Sequence, residues 1–213
     1  MRRQLLRLVA GLMLATLALA AGGQSFEQLL RAAHQGDAKA VEDLLARGLD
    51  PDTASPDGNT LLMIAAGQGH LDLVTLLINR KASVGRRSPH GDTALMFASL
   101  KGHLPVARLL VANGAPVSHS GWAPLHYAAF EGRAELIRFL LEKGADKDAR
   151  APNGYSALIL AARGGHVEAA RALLYEDADV TVRGPKGETA LGIARAKKME
   201  ELEVLLKRAG AVE

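Results

Sequence analysis

A leucine with similar neighbours recurs at Leu29, Leu62, Leu95, Leu125, Leu158 and Leu191, at steps of 33, 33, 30, 33 and 33 residues. No other feature restricts the fold as strongly. A fixed period in this range marks stacked supersecondary units, not one chain wrapped around a central core. Each unit is too small to bury its own apolar face and becomes stable only against its neighbours. Such arrays work by presenting a long surface to a partner, not by converging on a reacting atom.

The residues around each leucine describe one helical hairpin. Thr60, Thr93, Ser156 and Thr189 stand where a first helix begins, so their hydroxyls can accept an unpaired amide of the first turn. Pro124 occupies the first helical position, where a missing N–H costs nothing. Paired small residues such as Ala65 and Ala66 let neighbouring hairpins approach closely. Gly69, Gly102, Gly132 and Gly165 are placed to make the left-handed turn that ends the first helix. A second helix then presents an apolar stripe, as at Leu71, Val74, Leu77 and Ile78. The first copy lacks the opening motif but keeps Leu29, Ala32-Ala33, Gly36 and Leu44-Leu45. The last copy replaces Gly-His with Lys198-Met199 and is rich in charge. Both read as caps with water on one side.

The copies share a motif. The second reads Gly58-Asn59-Thr60-Leu61-Leu62-Met63-Ile64-Ala65-Ala66, then Gly69-His70 and Leu76-Leu77-Ile78. The third reads Gly91-Asp92-Thr93-Ala94-Leu95-Met96-Phe97-Ala98-Ser99, then Gly102-His103 and Leu109-Leu110. The fourth has Trp122-Ala123-Pro124-Leu125-His126-Tyr127-Ala128-Ala129, and the fifth keeps Gly154, Leu158, Ala161-Ala162 and Gly165-His166. This pattern resembles the ankyrin repeat over about nine-tenths of the chain. The resemblance implies an all-α ankyrin-repeat solenoid of about six helix-turn-helix repeats, with projecting turns or short β-hairpins along one edge. The repeat domain spans 25–213, with repeats near 25–56, 57–89, 90–119, 120–152, 153–185 and 186–213.

A different kind of sequence precedes it. Arg2, Arg3 and Arg7 lead into the apolar run Leu8 to Ala21, and Ala18-Leu19-Ala20 has the small-x-small form of a cleavage site. Residues 1–20 therefore read as a secretory signal peptide and 21–24 as a short linker. The alternative is an uncleaved anchor, for which the run is short against the roughly 20 residues of a span. Cysteine is absent, so there is no disulfide, thiol nucleophile or lipid-bearing cysteine. The expected location is periplasmic or secreted, with no stable membrane insertion after cleavage. Removing the segment's three arginines from the 26 basic residues leaves 23, against 23 acidic. Nothing in that balance predicts binding to nucleic acid, which needs a basic face.

Seven histidines raise the question of metal or catalysis. His70, His103 and His166 hold one recurring position, and packed helices space such copies roughly 10 Å apart. Zinc ligands must converge at about 2 Å from one point, so this row binds backbone, not metal. His90 and His119 lie near the tips and read as solvated loop residues. Nucleophile elbows, phosphate loops and calcium loops are absent from the sequence. The reading is no enzyme, no cofactor and no metal.

The partner surface implied by the resemblance is the concave face: tips plus exposed positions of the first helices. Asp92, Trp122 and Tyr155 stand at helix starts there, with Leu100, Lys101, Phe130, Glu131 and Arg163 just after the paired small residues. Aromatics make up only 4% of the chain, so Trp122, Phe130 and Tyr155 on adjoining repeats suggest an anchor cluster for another protein. Phe97, Tyr127 and Phe139 read as core. The 30-residue step shortens the loop Pro116 to Ser120 by three residues, which would leave a notch beside Trp122. Acidic Asp50, Asp52 and Asp57 at the first tip, against Arg86, Arg87, Arg150, Arg183 and Lys186 later, would orient a partner. The expected function is a monomeric protein-protein interaction module, an exported adaptor or protector. Immunity protein against a toxin, or secreted effector on a host protein, are the alternatives.

Overall fold

The computed structural model describes residues 25–212; the signal peptide and linker expected at 1–24 lie outside them. Helix α1 covers 25–35. It is followed by α2 (Ala38–Ala46), α3 (Leu61–Gln68), α4 (Leu71–Asn79), α5 (Ala94–Lys101), α6 (Leu104–Ala112) and α7 (Pro124–Phe130). The remaining helices are α8 (Ala134–Glu142), α9 (Ala157–Gly164), α10 (Val167–Tyr175), α11 (Ala190–Ala196) and α12 (Glu200–Arg208). Each odd helix turns back into the even one behind it. Odd helices pack in one row, α3 on α5, α5 on α7, α7 on α9 and α9 on α11, while even helices form a second row. The result is an all-α solenoid of six hairpins in two layers.

Local chemistry sets the helix starts. Backbone amides of Met63, Met96, Ile159 and Gly192 donate to the hydroxyls of Thr60, Thr93, Ser156 and Thr189 at 3.2, 3.3, 3.4 and 3.0 Å. The fourth repeat has Ala123 there and no capping hydroxyl; it begins with Pro124. Ser99 replaces one of the paired alanines and is fully buried, its hydroxyl donating to the Leu95 carbonyl at 2.7 Å. That bond removes the cost of an unpaired hydroxyl in the core. Between the rows the large side chains are apolar and almost wholly enclosed, among them Leu62, Leu95, Leu125 and Leu158.

Gly69, Gly102 and Gly165 end their helices with φ of 80°, 86° and 73°. In the last repeat Lys198 is in the same position with φ 57°. A side chain there costs about 1–2 kcal/mol relative to the right-handed region. Lys198 is exposed, so Lys198→Gly sacrifices no packing. It is expected to raise the unfolding free energy by about 0.5–1 kcal/mol, after glycine's greater loss of chain entropy is subtracted. Urea titration of the two proteins checks this, and equal midpoints would refute it.

The projecting edge is made of turns. Ser55, Ser88, Ala151 and Gly184 each donate a backbone N–H to the carbonyl four residues on, at 2.8, 2.8, 2.9 and 2.8 Å. Pairing stops at the isolated antiparallel bridges Ala54–Thr60 and Arg150–Ser156. Of the two forms expected for the tips, turns are what forms among the described residues, because each tip closes too soon to extend a ladder. In the shortened fourth tip Ser118 turns to the next repeat, its hydroxyl accepting from the Asp146 amide at 3.0 Å.

Candidate protein-binding surface

A wall of hairpins grips a partner only if the hairpins hold their spacing, and a repeated bond does this. His70 Nε2 pairs with the His34 carbonyl at 3.0 Å, His103 with Gly67 at 3.1 Å, and His166 with Phe130 at 3.0 Å. The acceptor is the carbonyl just after the paired small residues of the preceding repeat. Where the repeat lacks histidine, another donor reaches the same carbonyl. Arg133 Nε donates to Leu100 at 3.4 Å, and Lys197 Nζ donates to Arg163 at 2.6 Å. All five junctions are thus cross-linked through one carbonyl position. The histidine row binds backbone, as its spacing requires. Among the described residues no cluster of three or more His, Cys, Asp or Glu is arranged to hold a metal ion.

His126 supplies a second link. Its Nδ1 accepts the Ala123 amide at 3.0 Å and its Nε2 pairs with the Ala149 carbonyl at 2.9 Å. Accepting at one nitrogen fixes the proton on the other, so one neutral tautomer serves both bonds. Burial holds its pKa below the ordinary histidine value; the Ala149 bond works against this, His119 adds to it and Asp146 opposes it. The imidazole therefore replaces the missing hydroxyl of Ala123 and ties the fourth hairpin to the fifth tip.

The eight residues expected on the partner surface divide by environment. Phe130 is 53% exposed at the end of α7. Lys101 at the end of α5 and Glu131 and Arg163 are also exposed, and Leu100 is half-buried. Glu131 lies 3.8 Å from Arg133. Trp122 is half-buried, edge-on to His126 with ring centroids 5.9 Å apart and tilted over Tyr127 at 5.5 Å. Asp92 is held by Tyr127, whose hydroxyl donates at 2.7 Å; burial and this carboxylate push the phenol's pKa well up. Tyr155 donates to Glu188 at 2.8 Å, accepts from Arg163 Nη1 at 2.8 Å and lies beneath that guanidinium, 4.7 Å from the ring centroid. Hydrogen bonds from its own backbone and from Tyr155 lower the Glu188 carboxyl's pKa.

Two linked groups result: Asp92–Tyr127–Trp122, and Tyr155–Arg163–Glu188. Phe130 stands apart from both as an exposed apolar side chain. The expected core residues behave unevenly. Phe139 is buried, but Phe97 and Tyr127 are half-buried on the concave side. They occupy the position held elsewhere by Ile64, Leu160 and Ile193, and an aromatic ring overfills it. That substitution was a readable signal. His119 also differs from the solvated loop residue expected: its Nδ1 pairs with the Ser120 carbonyl at 2.9 Å and its Nε2 is buried without a partner. His90 is exposed.

The tip charges turn inward more than expected. Asp52 accepts the Ser83 amide at 2.8 Å and lies 3.7 Å from Arg86. Arg87, Arg150 and Arg183 donate to the carbonyls of Gly91, Arg183 and Gly187. Much of the acidic-to-basic pattern thus serves contacts within and between tips. The concave face does open a cleft, lined by Phe97 and by side chains of the first three repeats. It lies away from the shortened tip beside Trp122, where the loop length predicts a notch.

Comparison with known proteins agrees with this geometry. A family profile described as ankyrin repeats in three copies matches residues 29–120, 81–151 and 125–212. The crystal structure of an ankyrin repeat domain from Acinetobacter baumannii is similar with a TM-score of 0.76 and 26% identity, covering 86% of this chain and 98% of that one. Ankyrin repeat and SOCS box protein 3 from Bos taurus is 54% identical over 35 residues, which is 16% of this chain and 7% of that protein.

Proposed function

Since the chain belongs to the ankyrin-repeat family, whose fold is a protein–protein interaction module, we propose that it is an exported adaptor or protector holding a partner protein against its concave face. The fold is typically a binding scaffold rather than an enzyme, and the proposal assigns it no reaction. Phe130 carries the reading: a large apolar side chain 53% exposed midway along a wall whose spacing is cross-linked. Leu100, Lys101, Glu131 and Arg163 hold neighbouring positions of the repeat register, and the Trp122–Tyr127 pair stands on the same repeat. Exposed aromatic side chains concentrate binding energy at protein interfaces.

Export rests on Arg2, Arg3, Arg7 and the apolar run Leu8 to Ala21. Among the described residues no helix is long and apolar enough to cross a membrane. The proposed location is periplasmic or secreted, and the proposed unit a monomer. Tyr155 and Asp92 support the surface by fixing it, since their polar groups already have partners.

Capture from the native periplasmic fraction tests the reading. A Phe130→Ala, Trp122→Ala protein is expected to recover its partner about tenfold less well than wild type, with helical content unchanged. Equal recovery by the two proteins overturns the assignment of the face. Finding the chain in the cytosolic fraction overturns export.

A further inference from the structure

The row of side chains that follows the paired small residues reads His34, Gly67, Leu100, Phe130 and Arg163 along the wall. Gly67 leaves a gap in it. It lies inside α3 and is not among the glycines with positive φ, so its backbone does not require glycine. A Cβ placed there would sit 3.4 Å from Phe97 Cβ and 3.6 Å from its Cδ1, which the neighbour tolerates. Gly164 in α9 is different, because a Cβ there would meet the His166 ring at 2.4 Å. A helical glycine forgoes about 0.5–1 kcal/mol relative to alanine, and at Gly67 nothing in the fold requires that loss.

What the missing side chain leaves is space. The concave cleft over the first three repeats has a volume of about 180 Å³ and Gly67 in its wall. Met63, Ile64 and Phe97 give it an apolar lining, and His34 and Gln68 stand at its edges. Lys101 is the one lysine, arginine or carboxylate among the lining residues, and it is exposed. The space suits one leucine- or phenylalanine-sized side chain, and the charge suits a carboxylate beside it.

We propose that this cleft is a subsite for the partner protein, taking one large apolar side chain from a segment whose adjacent acidic residue pairs with Lys101. The proposal rests on the concave face being the partner surface, and specifies the chemistry of the segment that binds there. It also accounts for Gly67: stability given up where an open site is needed.

Titration of the isotopically labelled full chain with two blocked tetrapeptides tests this. One carries phenylalanine followed by aspartate between glycines, and the other carries lysine in place of the aspartate. The acidic peptide is expected to shift the amide resonances of Gly67, Gln68, Phe97 and Lys101 saturably. It should bind about threefold more tightly than the lysine peptide, the scale of one exposed ion pair. Lys101→Gln should erase that preference. Gly67→Leu fills the cleft and should abolish binding of both, and Gly67→Ala should weaken it while raising the unfolding midpoint.

Unchanged peptide binding by Gly67→Leu and Gly67→Ala, or equal affinities in wild type, overturns the subsite. In partner capture, loss with Phe130→Ala but full recovery with Gly67→Leu also overturns it while leaving the concave-face reading intact. Full recovery with both removes the two together.

Discussion

Leu125→Ala is expected to lower the unfolding free energy by about 3 kcal/mol, within the range for a leucine emptied from a packed core. Leu125 is 1% exposed in α7, and α7 packs on α5 and α9. The cavity it leaves cannot close easily, because Arg133 bonds the fourth hairpin to Leu100 and His166 bonds the fifth to Phe130. In a solenoid the loss also divides the array. Repeats contact only their neighbours, so stability is a sum of unit and junction contributions. Weakening the fourth unit uncouples the first three from the last two.

The sequence has one tryptophan, Trp122, and it reports on that same repeat. Wild type should show coincident urea transitions by tryptophan fluorescence and circular dichroism. In Leu125→Ala the fluorescence transition should come first. Coincident transitions, with a loss below about 1 kcal/mol, would contradict the packing described for this position.

His126→Ala is expected to cost about 2–3 kcal/mol, from two lost bonds and two groups left without partners. The side chain is 1% exposed; removing it orphans the Ala123 amide and the Ala149 carbonyl. His126→Gln should recover part of this, since a glutamine oxygen at the third helical position can still accept the capping amide.

The pH dependence separates this from a simple packing loss. Burial lowers the folded pKa of His126, so below about pH 6.5 the unfolded chain takes up a proton that the folded chain resists. Stability is therefore fully present above that pH and falls as pH drops toward the folded pKa. Protonation would also put a hydrogen on Nδ1, where the Ala123 amide must be accepted. Comparing unfolding midpoints at neutral and mildly acidic pH, His126→Ala should show a smaller decline than wild type. An equal decline in both would assign the acid sensitivity to other groups.

Much of the fold was legible because its determinants are local and repeated. The leucine period, Thr60 and Thr93 as caps, Pro124 at a helix start and the glycines ending first helices act within a few residues. Each is tested again in the next repeat. The histidine row was legible for the same reason. Arg133 and Lys197 were not: they make the histidine's bond with different chemistry, and Lys197 does so from a different offset. Only the acceptor carbonyl is constant, and a carbonyl leaves no trace in the sequence.

The surface was legible in outline and less so in detail. Phe130 is exposed, as its position in the repeat predicts. The motif places Tyr127 in the core, yet its hydroxyl meets Asp92, 35 residues away, and Trp122 lies over it. Its place in a loop implies a solvated His119, but the shortened tip folds its Nε2 out of water. These outcomes depend on where a side chain of one repeat points relative to its neighbour.

The order of residues alone determined that the chain is a stack of like hairpins, where each begins and ends, and which face of each helix must be hidden. Those are short-range requirements of backbone hydrogen bonding and apolar burial, and every repeat states them independently. The stacked structure decided which polar groups pair across junctions, which aromatics remain at the surface, and that Gly67 opens a cleft. Such contacts form between residues a whole repeat apart, so they exist only once the hairpins have been set side by side.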